Sequence, residues 1–387
     1  MVGPCESKVK GPMIVQRFAK WAGEATTRER SDAATMLAEA LVHSGAEGAD
    51  RETIIASLTL LLDDPSPAVR LAMAKALSNG RDVPRSLIFA LAADVDRVAT
   101  EIVRGSPYLS AADLVDLAAV GSPAARLAIA ERPVVPLPVA AVIAEGGEPQ
   151  AALALCRNDG AALAERTFKC LADRFGGDAP IREALLSRSD LPPSVRHQLM
   201  LAVRDALAGS ALITNLFGKK RAETLAFGAA ERGTSLLAET LSSRQTPDFG
   251  DYLRGTGAVT PSLLLRVAAA GNIELFTTLL ASLSGRSERR VAAIVSGARS
   301  SALRALVLEA GLPEPMAFLF SEAVSLWRRI ARGEEALRPA AVPAILLARA
   351  AANNQETAVM AQATALLRRL ADEAQRDAAR EAARAAA

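Results

Sequence analysis

The sequence is poor in the residues from which most active sites are built. Its 387 residues hold two histidines, His43 and His197, and three cysteines, Cys5, Cys156 and Cys170. Neither histidine has a partner at metal-ligand spacing, which points away from a metal centre and leaves structural or solvent-facing roles. The cysteines show no paired spacing. Cys156 and Cys170 lie among helical apolar residues, so buried free thiols in a reducing compartment are expected. Aromatic residues make up 4%, with two Trp and two Tyr. Few side chains are therefore on hand to stack on nucleic-acid bases. No charge dominates: 45 basic residues face 43 acidic ones, a net +2. That balance supplies no bulk attraction to nucleic acid or to an anionic membrane, although local patches are compatible with it. Long apolar runs are missing too. The longest uncharged stretch, Ala206 to Gly218, falls short of the roughly 20 residues of a membrane-spanning helix. The first residues, Met1 to Lys8, contain no apolar core of a secretory signal. A cytoplasmic location is the expectation. Phosphate-binding, dinucleotide-binding, nucleophile-elbow and zincin motifs are all absent, and Gly255-Thr256-Gly257 reads as a turn. No cofactor, metal or catalytic residue is indicated, and the chain is not expected to be an enzyme.

What the sequence has instead is a helical phrase that returns every 26 to 30 residues. Its copies begin at Asp64-Pro65-Ser66-Pro67, Ala93-Asp94-Val95-Asp96, Gly121-Ser122-Pro123, Gly147-Glu148-Pro149 and Gly177-Asp178-Ala179-Pro180. Ser66-Pro67 and Ser122-Pro123 place a capping hydroxyl before a proline, which is preset for the first helical position. Val69, Met73, Ala76 and Leu77 then share one helical face, as do Val95, Val98, Ala99 and Ile102, and Ile181, Ala184 and Leu185. Leu127 sits at the centre of such a face and is expected in the core. A second short helix completes each copy, opened by Pro84, by a capping-box-like Ser110-Ala111-Ala112-Asp113, by Pro136-Leu137-Pro138, or by Pro192-Pro193. Two helices this short cannot bury a core alone; stacked neighbours can. The pattern predicts an all-α fold, an α-solenoid of short HEAT-like helical repeats followed by a second helical region.

Five zones follow. Residues 1–12 are expected to be unstructured, 13–62 to form capping helices, and 63–207 to form the repeats. A break at Ala208-Gly209-Ser210 and the basic Lys219-Lys220-Arg221 lead into a helical region at 208–338, and an Ala-rich helical tail follows at 339–387. In the tail, Asp372–Arg376, Asp377–Arg380 and Glu381–Arg384 are spaced to pair on a solvated helix.

The phrase from Arg104 to Val115, and the later stretch from Leu264 through Gly271-Asn272-Ile273-Glu274-Leu275-Phe276 to Ala310-Gly311-Leu312-Pro313, resemble an alphaproteobacterial family of HEAT-like proteins catalogued as a domain of unknown function. The similarity spans roughly Phe18 to Ile330. It implies an all-helical solenoid, a cytoplasmic bacterial protein and no established activity, and it leaves the tail after Pro339 outside the pattern.

One constellation bears on function. Arg104, Arg132, Arg157 and Arg188 fall near the end of the first helix of successive copies. Equivalent positions of a solenoid line up along its surface, and a stripe of guanidinium groups holds carboxylates or phosphates bidentately. The alternative is that each arginine answers the carbonyl end of its own helix and pairs with an acid such as Asp159 or Asp190. The reading is a non-catalytic scaffold or adaptor that binds a protein partner through its solenoid surface. Nucleic-acid binding, or an enzyme or small-ligand site without a recognisable motif, are the alternatives. A deep enclosed pocket with converging polar groups would favour the last.

Overall fold

The computed structural model describes residues 10–43, 47–80, 82–297, 300–333, 338–353 and 357–386. Among them every regular element is helical, apart from one isolated parallel bridge between Val135 and Ala161. No single described helix is long and apolar enough to cross a membrane. Contacts divide the chain into two compact units, Met1–Pro192 and Pro193–Ala387. The boundary falls before Leu207, so the helix that follows Pro192-Pro193 belongs to the second unit.

The first unit runs through α1 (Lys10–Glu24), α2 (Thr27–His43), α3 (Gly48–Leu62), α4 (Pro67–Leu77), α5 (Arg85–Ala92) and α6 (Asp96–Gly105). It continues with α7 (Ala111–Val120), α8 (Pro123–Ala130), α9 (Leu137–Gly146), α10 (Pro149–Arg157), α11 (Glu165–Phe175) and α12 (Ala179–Ser187). Lys10, Gly11 and Pro12, expected to be unstructured, already form the first turn of α1, and residues 1–9 lie outside the described residues. Packing skips one helix at a time. α2, α4, α6, α8, α10 and α12 contact one another in sequence, and α1–α3–α5 and α7–α9–α11 do the same.

Local chemistry sets the starts. Ser110 and Asp113 form a full capping box: the Ser110 hydroxyl accepts from the Asp113 N–H at 3.2 Å, and the Asp113 carboxylate accepts from the Ser110 N–H at 2.8 Å. The Ser122 hydroxyl caps the Ala125 N–H at 3.2 Å. Ser66 precedes Pro67 as expected but does not cap with its side chain; the neighbouring Asp64 carboxylate accepts from its N–H instead. Ile88, Leu91, Ile102, Ile129 and Phe168 are among the largest fully buried side chains, each worth about 1.5–3 kcal/mol of apolar burial. Ala76 and Ala184 are half-buried on their faces, and two larger residues expected in the core lie elsewhere. Leu127 is half-buried, because the inward stripe of α8 is Ala125, Ala128 and Ile129. Val95 stands at the N-cap of α6, ahead of the inward stripe, and is 49% exposed.

The second unit comprises α13 (Pro193–Ala208), α14 (Ala211–Phe217), α15 (Lys219–Glu239), α16 (Thr246–Gly255), α17 (Pro261–Ala270), α18 (Ile273–Ser284) and α19 (Glu288–Ser296). α20 (Ser300–Glu309), α21 (Glu314–Ala331), a 3-10 turn at Pro339–Ala341, α22 (Val342–Ala352) and α23 (Ala358–Ala386) complete it. α17 is its hub. It contacts α15, α18, α21, α22 and α23, and every residue from Leu263 to Ala269 is buried. A helix apolar nearly all round is best accommodated at the centre of a bundle. Gly271 ends α17 in the left-handed region at φ +86, and a Cβ there would lie 2.5 Å from the Trp327 ring. Trp327 Nε1 donates to the Ala268 carbonyl at 3.0 Å, fixing that ring over the turn. The Ala-rich C-terminal stretch is not a free solvated helix. Met360, Ala363, Leu366, Leu367 and Leu370 of α23 are buried in the core. Of the pairs expected on its other face, Asp377–Arg380 forms at 3.3 Å, Arg376 donates to the Asp372 backbone carbonyl, and the Glu381 side chain lies outside the described residues.

Candidate functional site

The four arginines expected to form a stripe have different fates. Arg104, in the last turn of α6, pairs with Glu131 at 3.0 Å, and both side chains are about half exposed. Arg132, just past α8, donates to the carbonyls of Val103 and Ser106 at the end of α6. Its Nε is buried without a partner among the described residues, and burial pushes the guanidinium pKa down. Arg188, at the end of α12, is buried. It donates to the carbonyls of Asn158 at 2.9 Å and Ala161 at 3.1 Å, binds Asp190 at 2.8 Å and lies over the Phe168 ring. Arg157 is exposed, and no hydrogen bond or ion pair involves its side chain among the described residues.

The structure therefore does not present four free guanidinium groups in a row. The physical reason lies in the helix ends. The last carbonyls of an α-helix have no partner inside it, and a guanidinium fork reaches two at once. The pairing of Arg188 with Asp190 matches the alternative reading, except that the carbonyls belong to the preceding copy and not to the arginine's own helix. Arg174, which sequence reasoning missed, does the same for Ala144 and Gly147. Asn158 takes this place one copy earlier, donating to Ala130 at 2.8 Å and Arg132 at 2.6 Å.

A second set of arginines ties the turns together. Arg30 binds Asp64 at 2.6 Å, Arg70 binds Asp94 at 2.5 Å, and Arg126 binds Glu148 at 2.8 Å. Each arginine sits in the first turn of its helix, and each acid sits in the turn that opens the second helix on in the chain. The remaining donors reach back to a carbonyl before the arginine's own helix: Arg30 on Ala25, Arg70 on Asp64 and Arg126 on Ala118, as Arg182 also does on Gly176. Hydrogen bonds from the arginines hold the Asp94 and Glu148 carboxyls below their usual range. For Asp64, burial pushes the other way, but hydrogen bonds from Arg30 and the Ser66 N–H outweigh it.

Three of the sparse reactive side chains, His197, Cys156 and Cys170, are held in surroundings that disfavour their charged forms. His197 is buried on α13, with Nε2 3.0 Å from Thr234 Oγ1 and Nδ1 3.3 Å from the Tyr252 hydroxyl, and edge-on to the Phe249 and Tyr252 rings. Burial lowers its pKa to about 4, so the ring is neutral at physiological pH. His43 is exposed at the end of α2. Burial pushes the Cys156 thiol up to about 12 and also raises that of half-buried Cys170. Cys5 lies outside the described residues. Among the described residues no three His, Cys, Asp or Glu side chains gather as a metal site.

Two concave sites lie in the second unit. A cleft of about 720 Å³ runs between α18, α19 and α21; Ile273, Ala292, Val295, Val324 and Trp327 line it, with Glu274, Glu288, Arg289, Arg328 and Arg332 at its sides. A smaller cavity of about 460 Å³ lies behind Trp327. Its wall carries buried Arg266, bound to Glu373 at 2.8 Å, and Arg232, bound to Asp377 at 2.8 Å. The carboxylates come from α23, so the C-terminal helix neutralises cations of α15 and α17. Neither site was visible from local motifs, since each is assembled from segments far apart in the chain.

The family model described as an uncharacterised protein conserved in bacteria (DUF2336) matches residues 98–341, from within α6 to the 3-10 turn. It starts well after Phe18, where the resemblance read from the sequence begins, and it includes Arg104 to Arg188 and the whole cleft. No curated protein and no solved structure matches the chain. With more than half of its length in the match, the chain belongs to this family of uncharacterised proteins conserved in bacteria.

Proposed function

We propose that this bacterial protein is a non-catalytic scaffold of the cytoplasm, and that its second unit receives an amphipathic helix of a partner protein in the cleft between α18, α19 and α21. The observation that carries this reading is the composition of the cleft: an apolar floor flanked by charges of both signs. That is the pattern a helix meets when it lays an apolar stripe into a groove and keeps its polar flanks at the rim. The first unit fits a HEAT-like α-solenoid that carries this module. Its skip-one packing and its arginines, which bind the carbonyls or the turn acid of a neighbouring copy, support that architecture. Arg157 keeps an exposed guanidinium and remains a candidate partner contact there.

A small-molecule site is the second reading, because the cleft volume lies within the ~300–1,000 Å³ of typical ligand pockets. The two readings separate by experiment. A photo-crosslinking residue at exposed Ala292, in the native bacterium, is expected to yield a discrete protein adduct. Ala331→Trp, which narrows the cleft from an exposed position, should reduce that adduct with melting behaviour unchanged. Adducts undiminished by Ala331→Trp would count against the cleft. A small molecule that copurifies with the wild type and is lost from Ala331→Trp, with no protein adduct, would establish the second reading.

A further inference from the structure

We propose that α14 and the start of α15 form a docking surface for an anionic lipid bilayer, with α14 lying in the membrane interface. α14 reads Ala-Leu-Ile-Thr-Asn-Leu-Phe, and none of its side chains is buried. Leu212 and Leu216, 70% and 69% exposed, are one turn apart on one stripe. Ile213 and Phe217 form the stripe beside it, with Phe217 about half exposed, and Leu207 at the end of α13 is 43% exposed. Single exposed leucines need no explanation, but a whole turn of them on a helix that adds nothing to the core does.

The basic residues that follow indicate what covers this surface. Lys219, Lys220 and Arg221 are exposed at the first turn of α15, which contains no acidic residue. Their side chains make no ion pair among the described residues. Cations at a helix N-terminus oppose the helix dipole, so within the chain their position is unfavourable. An anionic headgroup layer adds an attraction of opposite sign that offsets that cost. Large aliphatic and aromatic side chains beside clustered lysine and arginine are the signature of an interfacial helix. The nearest acids in sequence are Asp205, already bound to Arg204 at 2.7 Å, and Glu223.

The geometry also separates lying on the membrane from crossing it. α13 and α14 together have the length and apolarity of a span, but they are bent by 61°. α13 is tied to the protein through buried Val195, His197 and Leu199, which leaves α14 as the part free to enter the interface. This inference concerns a surface away from the cleft residues and stands whether or not a helix binds there.

The test uses the full chain and sedimentation with vesicles. Binding to phosphatidylcholine–phosphatidylglycerol vesicles is expected, with little binding to phosphatidylcholine alone and with loss at high salt. Replacing Lys219, Lys220 and Arg221 together by glutamine should weaken binding on the order of a hundredfold at low salt, about fivefold for each cation. Leu212→Glu with Leu216→Glu should abolish binding; both sites are exposed, so the melting curve should stay that of the wild type. In a Leu216→Trp variant, brominated lipids should quench emission beyond the quenching seen in the wild type, which carries Trp21 and Trp327. The proposal is overturned if the wild type ignores anionic vesicles, or if the glutamate variant binds them as well as the wild type does. It is equally overturned if the wild type dimerises without binding lipid and the glutamate variant is monomeric, for then the face meets a second copy.

Discussion

The bond between Arg70 and Asp94 offers the most direct test of how the first unit is held together. Arg70 Nε and Nη2 face the two carboxylate oxygens at 2.5 and 2.8 Å, a bidentate arrangement, while Nη1 donates to the Asp64 carbonyl. The side chains are 15% and 10% exposed, between the two limits that are well characterised. A fully exposed pair contributes ~0–1 kcal/mol, and removing one partner of a deeply buried pair costs ~3–5 kcal/mol. With water still reaching both groups, a coupling of about 2 kcal/mol is expected. The measurement is a double-mutant cycle on the full chain, with Arg70→Met, Asp94→Asn and the double variant followed by urea denaturation and far-ultraviolet circular dichroism. Asp94→Asn keeps an acceptor for the Val95 N–H, so the cycle isolates the charge pair. The pH dependence provides a second check. The hydrogen bond from Arg70 lowers the Asp94 pKa in the folded protein. The unfolded chain therefore takes up the proton first as pH falls. The stabilisation is complete above the ordinary carboxylate range and is lost as pH drops through the lowered folded value. A coupling below about 0.5 kcal/mol at neutral pH, or one that grows on acidification, would refute the reasoning.

Three further outcomes follow from burial and partners. His197 has a folded pKa of about 4 against 6.5 unfolded, so its contribution of up to about 3 kcal/mol is complete above pH 6.5 and is lost as pH falls from there to about 4; relative to the wild type, His197→Gln should flatten urea stability across that window, and an unchanged slope would show that His197 is not the titrating group. Ile129→Ala should cost about 2–5 kcal/mol, as for a fully buried residue, while Leu127→Ala should cost less than half as much; equal losses by urea denaturation would contradict the assigned face of α8. Arg188→Lys should destabilise by about 2–4 kcal/mol, because one ammonium cannot serve Asn158, Ala161 and Asp190 together; a lysine variant with wild-type melting would show that the fork geometry is dispensable.

Local signals in the sequence were sufficient for the helical class and for several of the helix starts, although not for the start of α1 or the side-chain cap of α4. Ser110 with Asp113, Ser122 before Pro123, and Asp178 at the head of α12 cap as their chemistry predicts. Signals that depend on partners a whole copy away were not legible. Arg157 and Arg188 occupy similar places at the ends of their helices, yet one faces solvent and the other is buried, and only the course of the preceding copy distinguishes them. Pairing of Arg70 with Asp94 spans 24 residues, beyond any helical or turn period. The core stripe of α23 is diluted by alanine, so Met360, Leu366, Leu367 and Leu370 resemble the occasional apolar residues of a solvated helix. The cleft and the cavity behind Trp327 are assembled from separate helices and leave no contiguous motif.

The near balance of charge acquires a different meaning once the arginines are placed. From composition, 45 basic residues against 43 acidic ones suggests a neutral surface. In the first unit, however, Arg30, Arg70, Arg126, Arg132, Arg174 and Arg188 are committed to carboxylates or backbone carbonyls. The demand for them comes from helix length. α5 and α8 have 8 residues each, and α10 and α12 have 9. Helices this short are marginal alone, and each still ends in about four carbonyls without an internal partner. A chain cut into many short helices multiplies those ends, and small aliphatic side chains cannot satisfy them. Guanidinium groups can, two carbonyls at a time, while their stems pack on neighbouring apolar surface as Arg188 does on Phe168. Net charge therefore measures little about which surface a partner meets. Among the described residues, the cations left over, such as Arg157 and the Lys219–Arg221 cluster, are the ones available to a proposed partner.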